Sequence, residues 1–138
     1  MSQENVELTR RAFEAFNRGG VDACVSEGLW SPEIVWDATP SGIPGIGAYR
    51  GHEEVKRFFE DDWFRTFPFG EWEVELEEVL DAGDRVFAMC RQHGRGASSG
   101  AVAELELAQI ATVRDGQVVR VDSYLDRGKA LEAVGLAE

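Results

Sequence analysis

Asp37 stands between Trp36 and Ala38 in the run EIVWDA, and Gln109 interrupts the apolar side of AVAELELAQIATV. A carboxylate among apolar neighbours has its pKa raised, which brings a general acid or base near neutrality. The competing role for Asp37 is a cap on a turn at Thr39–Ser41. A buried amide needs a partner, and for Gln109 that is a ligand, a water or the protein itself. Arg91 and His93 share one side of their strand with Phe87 and Met89. They either aim into a pocket as an anion-binding or proton-transfer pair, or Arg91 faces Glu104 or Glu106 as a surface ion pair. Arg120 and Asp122 have an Arg-x-Asp spacing. Two histidines, His52 and His93, with no His/Asp/Glu cluster at ligand spacing, predict no metal. No Ser-His-Asp or Cys-His arrangement stands out, and GRGASSG lacks the context of a phosphate loop, so no cofactor is expected.

The elements that would position these residues follow from periodicity. Val6, Thr9, Phe13 and Phe16 form an apolar stripe on a helix from about Ser2 to Arg18, ended by Gly19-Gly20. Asp22 would cap a short second helix. A strand Glu33–Ala38 precedes TPSGIPGIGAYRG, whose prolines and glycines predict an irregular loop across a pocket mouth. A third helix runs from His52 to about Thr66. From Glu71 the period becomes two, with Trp72, Val74 and Leu76 alternating with glutamates. Asp81–Asp84 turns the chain into a strand from Arg85 to about His93.

The stretch Ala101–Leu125 predicts a hairpin around the three-residue loop Arg114, Asp115 and Gly116. That register gathers Ala103, Leu105, Leu107, Gln109, Ala111 and Val113 with Val119, Val121, Ser123 and Leu125 on the core face. A two-residue loop would slip the pairing and carry Asp122 inward. The other face carries Ile110, Thr112, Val118 and Tyr124 among charges, including Arg120. A two-fold contact between copies would bury that patch and let Arg120 pair with Glu104, Glu106 or Asp122 across it. A short helix, KALEAVGL, closes the chain.

Helices first and a meander later predict an α+β fold in one domain spanning 1–138. A curled sheet with helices on its concave side makes a cone that ordinary side chains do not fill. A net charge of −12 argues against nucleic acid and anionic membranes, which need a basic face. No run of about 18 apolar residues suggests a membrane span. The N-terminal MSQENVELTRR lacks the order of a secretory signal, so a cytoplasmic location is expected. Cys24 and Cys90 lie far apart, and no disulfide is expected there.

FEAFNRGGVDA, SPEIVWDA, YRGHEEVKRFF, RDGQVVRVDSYLDR and ALEAVGL together resemble the nuclear transport factor 2-like superfamily, most closely its SnoaL-like and ketosteroid isomerase-like branch. The resemblance spans nearly the whole chain. It implies a cone-shaped fold, with three N-terminal helices on the concave face of a curled mixed or antiparallel sheet and a short C-terminal helix. It implies that Asp37 matches the isomerase general base. Ala12 stands where that family has a helix-borne tyrosine, and Gln109 where it has a protonated aspartate. Alanine cannot donate to an enolate, and glutamine donates weakly. The limonene epoxide hydrolases, another branch, use an Asp-Arg-Asp set. Here Arg120 and Asp122 lie on the last strand and face away from the pocket.

The resulting expectation is a small-molecule-binding domain with an apolar pocket, taking a small apolar or amphipathic ligand. Asp37 and Gln109 would be the catalytic pair of an isomerisation, cyclisation or dehydration without cofactor. Phe16, Trp36, Tyr49, Phe59, Trp63, Leu107, Val121, Ser123 and Leu125 would bind the ligand. The alternative is a non-catalytic binding or interaction module whose aromatics fill its own cavity. Pairing as a homodimer through the outer sheet face is expected in either case.

Overall fold

A computed structural model describes residues 2–43, 45–63, 72–95 and 102–136. α1 (Ser2–Ser26) joins two helical segments across a kink at Gly19 and Gly20. Gly20 has φ 67° and ψ −151°, a conformation open to glycine and strained for other residues. The glycine pair therefore bends the helix where the sequence reading ended it. Asp22, expected to cap a second helix, is engaged by His52 Nε2 at 2.9 Å and Lys56 Nζ at 3.0 Å, which ties α1 to the next helix.

β1 (Trp30–Asp37) begins three residues earlier than EIVWDA suggested. Pro32 is accommodated because the β1–β6 pairing is irregular between Trp30 and Val35. TPSGIPGIGAYRG is not wholly irregular. A 3₁₀ turn forms at Thr39–Ser41, and a short edge strand, β2 (Ala48–Arg50), pairs antiparallel with β1. α2 (Gly51–Arg57) starts where the Arg50 amide donates to Glu54 Oε1 at 3.0 Å, which satisfies one of the free amides at the helix start. It continues as a π turn, Phe58–Trp63.

The meander is β3 (Trp72–Ala82), β4 (Arg85–Arg95), β5 (Val102–Arg114) and β6 (Gln117–Tyr124). α3 (Arg127–Ala133) follows, its first turn capped by Asp126 Oδ1 accepting from the Lys129 amide. The curled sheet has the order β2-β1-β6-β5-β4-β3, with β1 parallel to β6 and the other pairs antiparallel. α1 and α2 pack on one face with Trp30, Ile34, Trp36, Val86, Leu107 and Val121.

The β5–β6 hairpin corrects the predicted loop. Arg114 pairs with Gln117, so the loop is the two residues Asp115 (φ 53°) and Gly116 (φ 76°). Positive φ at both positions is the type I′ turn that suits strand twist. A one-residue bulge then lies between the pairs Val113–Val118 and Thr112–Arg120 and leaves Val119 over. Beyond it Gln109 pairs with Ser123, and Asp122 keeps to the outer face. Val118 therefore points into the core, 1% exposed, where the sequence reading had Val119.

The predicted outer patch is partly closed by the chain itself. Ile110, 2% exposed, packs with Phe87, Ala108, Ala130 and Val134 beneath α3. Arg91 and His93 also lie on this outer face. Arg91 Nη2 is 2.8 Å from Glu77 and 3.8 Å from Glu106, and His93 Nε2 is 3.3 Å from Glu75.

Candidate functional site

Between α1, α2 and the sheet lies a cavity with two chambers that meet at Trp36, Phe59, Gln92 and Gln109. The first, about 50 Å³, is walled by Phe13, Phe16, Trp30, Val118 and Val121. That is room for roughly three to five waters. The second, about 30 Å³, runs past Ala38, Ser41, Ile43 and Ile46 to Leu107 and Ser123.

The walls follow from strand parity. Ala88 and Gln92 of β4, Gln109 and Ala111 of β5, and Val121 and Ser123 of β6 all turn to the concave side. The aromatic side comes from the helices and β1. Phe59 meets Phe16, Trp36 and Phe58 at ring distances of 5.0, 5.1 and 5.0 Å, each edge-on. Such contacts add about 0.5–1.5 kcal/mol apiece beyond burial. The Gln109 amide donates to Ser123 Oγ over a long 3.4 Å, and Gln92 Nε2 lies 4.0 Å from Cys90 Sγ. Both glutamines are buried, 6% and 7% exposed. No described lining residue of either chamber is ionisable.

Of the expected site residues, Phe16, Trp36, Phe59, Leu107, Gln109, Val121 and Ser123 line this cavity. Tyr49 does not. Its ring stacks on Phe58 at 4.5 Å and its hydroxyl accepts from the Gly47 amide, which pins the loop. Leu125 is 44% exposed, because β6 ends at Tyr124 before reaching the wall. The side chain of Trp63 lies outside the described residues.

Asp37 requires a correction. Trp36 points into the cavity, so Asp37, next in the strand, points out of the opposite face. There it accepts from the Thr39 amide at 2.9 Å, the Thr39 hydroxyl at 2.6 Å and Arg120 Nη2 at 3.0 Å. Burial pushes its carboxyl up, but the Thr39 hydrogen bonds and the Arg120 charge outweigh burial and hold it below the usual aspartate range. A raised pKa was expected; the surroundings of Asp37 lower it instead. Arg120 also binds Asp122 at 3.0 Å, so Asp37, Arg120 and Asp122 form a trio on the sheet exterior, within one chain.

Gln92 and Trp30 were missed as wall residues. Once Arg91 and His93 are known to face outward, alternation sends Gln92 inward, but the sequence alone left that register open. A set at metal-ligand spacing was missed too. Ligand atoms of Glu73, Glu75 and His93 lie within 4.8 Å of one another across β3 and β4, where the two glutamates are exposed. The Cys24 and Cys90 thiols are buried and pushed up to about 12 by burial, so neither is a nucleophile near neutrality. No described helix is long and apolar enough to cross a membrane.

The helix-lined, curled sheet around an uncharged cavity defines a protein of the NTF2-like fold. The SnoaL-like domain model matches residues 9–121, and the chain belongs to that family. Among solved structures it is similar to TerC, crystallised with polyporic acid, at 21% identity and a TM-score of 0.73, covering 96% of this chain and 98% of that one. It is also similar to a putative SnoaL-like polyketide cyclase from Jannaschia sp. CCS1, at 23% identity and a TM-score of 0.71, covering 99% and 94%. An NTF2-like protein of unknown function from Burkholderia pseudomallei K96243 is 20% identical with a TM-score of 0.71, covering 95% and 97%. No curated protein sequence matches the chain.

Proposed function

We propose that the chain binds a small, neutral, largely apolar molecule with a hydrogen-bond acceptor such as a carbonyl, and that the cavity is a binding site without a proton-transfer group. The observation that carries this is the lining. Two glutamines and a serine from three adjacent strands are the polar centre of an aromatic cavity with no ionisable group among its described walls. A charged ligand would be desolvated there without a counter-ion, at a cost of several kcal/mol. Asp37, the base expected for isomerisation, cyclisation or dehydration, lies on the other face of the sheet from the cavity. A non-catalytic binding module is therefore the better supported reading, with a cavity left open rather than filled by its own aromatics. The polyporic acid of one fold relative and the cyclase description of another support a small-molecule role in kind.

Acetophenone and benzoate, alike in size and unlike in charge, test this by isothermal titration calorimetry. Acetophenone should bind and benzoate should not. Gln109→Leu should weaken acetophenone roughly tenfold, the worth of one hydrogen bond of about 1–1.5 kcal/mol, while ethylbenzene is unaffected. Benzoate binding as tightly as acetophenone overturns the reading.

We further infer that two copies pair through the part of the outer face that α3 leaves open. Half-buried Val35 and Thr112 there flank the Asp37–Arg120–Asp122 trio. The β3–β5 end of the same face is lined by Glu73, Glu75, Glu104 and Glu106, and like charges would repel a second copy.

A further inference from the structure

We propose that Phe59 sets the length of ligand this protein accepts, acting as a removable partition between the cavity and an outer cleft; this rests on the cavity being the binding site. The cleft, about 280 Å³, lies between the α1 residues Gly19–Asp22 and Lys56 of α2 with Phe59 and Glu60 of the π turn. Among the described residues, Phe59 alone lines both chambers and the cleft. The two chambers are small, about 50 and 30 Å³, while the larger space lies behind this one ring.

Local structure explains the placement. Phe58 and Phe59 are adjacent, yet both are buried, at 5% and 6% exposure, where α2 widens into the π turn. Phe58 takes the Tyr49 side, and Phe59 meets Phe16 and Trp36 and also lines the cleft. Across the cleft the wall is Gly19, Gly20, Val21 and Asp22, of which the two glycines have no side chains to fill it. A methyl group at Gly19 would come within 2.8 Å of the Ala23 Cβ, so the helix packs too closely there to carry one. Removing the Phe59 ring joins the chambers to the cleft. A second ring could then lie over the glycine backbone, beneath the charged rim of Asp22, Lys56 and Glu60. The wild-type protein thus selects one-ring ligands by a single side chain.

The test compares acetophenone with 2-acetonaphthone, the same ketone on one ring and on two, by titration calorimetry. Wild type should bind acetophenone and bind 2-acetonaphthone at least tenfold more weakly. Phe59→Ala and Phe59→Leu should each bind 2-acetonaphthone at least tenfold more tightly than wild type does. Phe59→Leu keeps an apolar side chain and carries the test if Phe59→Ala does not fold, as circular dichroism will report. Adding Lys56→Trp to Phe59→Leu, which fills the cleft, should remove the gain. A gain that survives this second change comes from a wider interior and overturns the proposal. So does wild-type binding of both ketones alike, or no gain in the variants while wild type binds acetophenone. If wild type binds neither ketone but Phe59→Ala binds the larger, the wild-type binding reading fails and the partition stands. No binding to any form removes both.

Discussion

Asp37 and Gln109 are separated by one strand and by the thickness of the sheet, and that separation assigns them different work. Gln109 belongs to the cavity. Asp37 closes a turn through Thr39 and joins β1 to β6 through Arg120. Its pKa is lowered in the folded chain, so its contribution is complete above the unfolded value of about 3.9 and is lost as pH falls below it. Asp37→Asn should therefore cost about 1 kcal/mol at pH 7, since the partner guanidinium is partly solvated. The difference from wild type should vanish as thermal unfolding is followed down toward pH 2. Acetophenone affinity should stay within twofold of wild type. A tenfold loss of binding would return Asp37 to the site.

At the scale of elements, the β5–β6 hairpin decides which side chains the cavity receives. The Asp115–Gly116 turn fits strand twist but, left alone, would pair Gln109 with Asp122 and bring a carboxylate inward. The bulge at Val119 restores the pairing of Gln109 with Ser123. Deleting Val119 should leave every later residue on its own face and cost about 1 kcal/mol, with the native circular dichroism kept. Deleting Val121 instead must put either Arg120 or Asp122 on the cavity face, whether or not the bulge absorbs the slip. An unpaired charge buried there should abolish cooperative unfolding. Equal tolerance of the two deletions would show that register does not select the lining.

For the whole molecule, the two sheet faces have separate tasks: helices α1 and α2 enclose a cavity on one, while α3 and ion pairs cover the other. Pairing of copies can use only what α3 leaves. Light scattering at micromolar concentration should give twice the chain mass of 15.3 kDa. A value of 15.3 kDa removes the dimer. Arg120→Ala should loosen the pairing if the trio lies within it, because Asp37 and Asp122 would then be left side by side without their cation.

What the sequence determined by itself is what local period and side-chain type carry. The apolar stripe of α1, the alternation of β3 and the glycines at the kink and the turn specify elements without reference to distant residues. Together with the quoted motifs they made the NTF2-like fold legible. Parity along β5 was enough to set Gln109 among apolar neighbours. Only the tertiary structure decided how parities combine. One bulge residue, Val119, exchanges the two faces of a strand while leaving the hydrophobic pattern nearly unchanged. The side on which Asp37 emerges depends on β1 lying parallel to β6, a pairing between residues more than eighty positions apart. Gln92, the Glu73–Glu75–His93 grouping and the place of Phe59 between cavity and cleft likewise rest on contacts between strands and helices. No local pattern encodes them, because the free energy that selects them is that of packing the whole sheet against its helices.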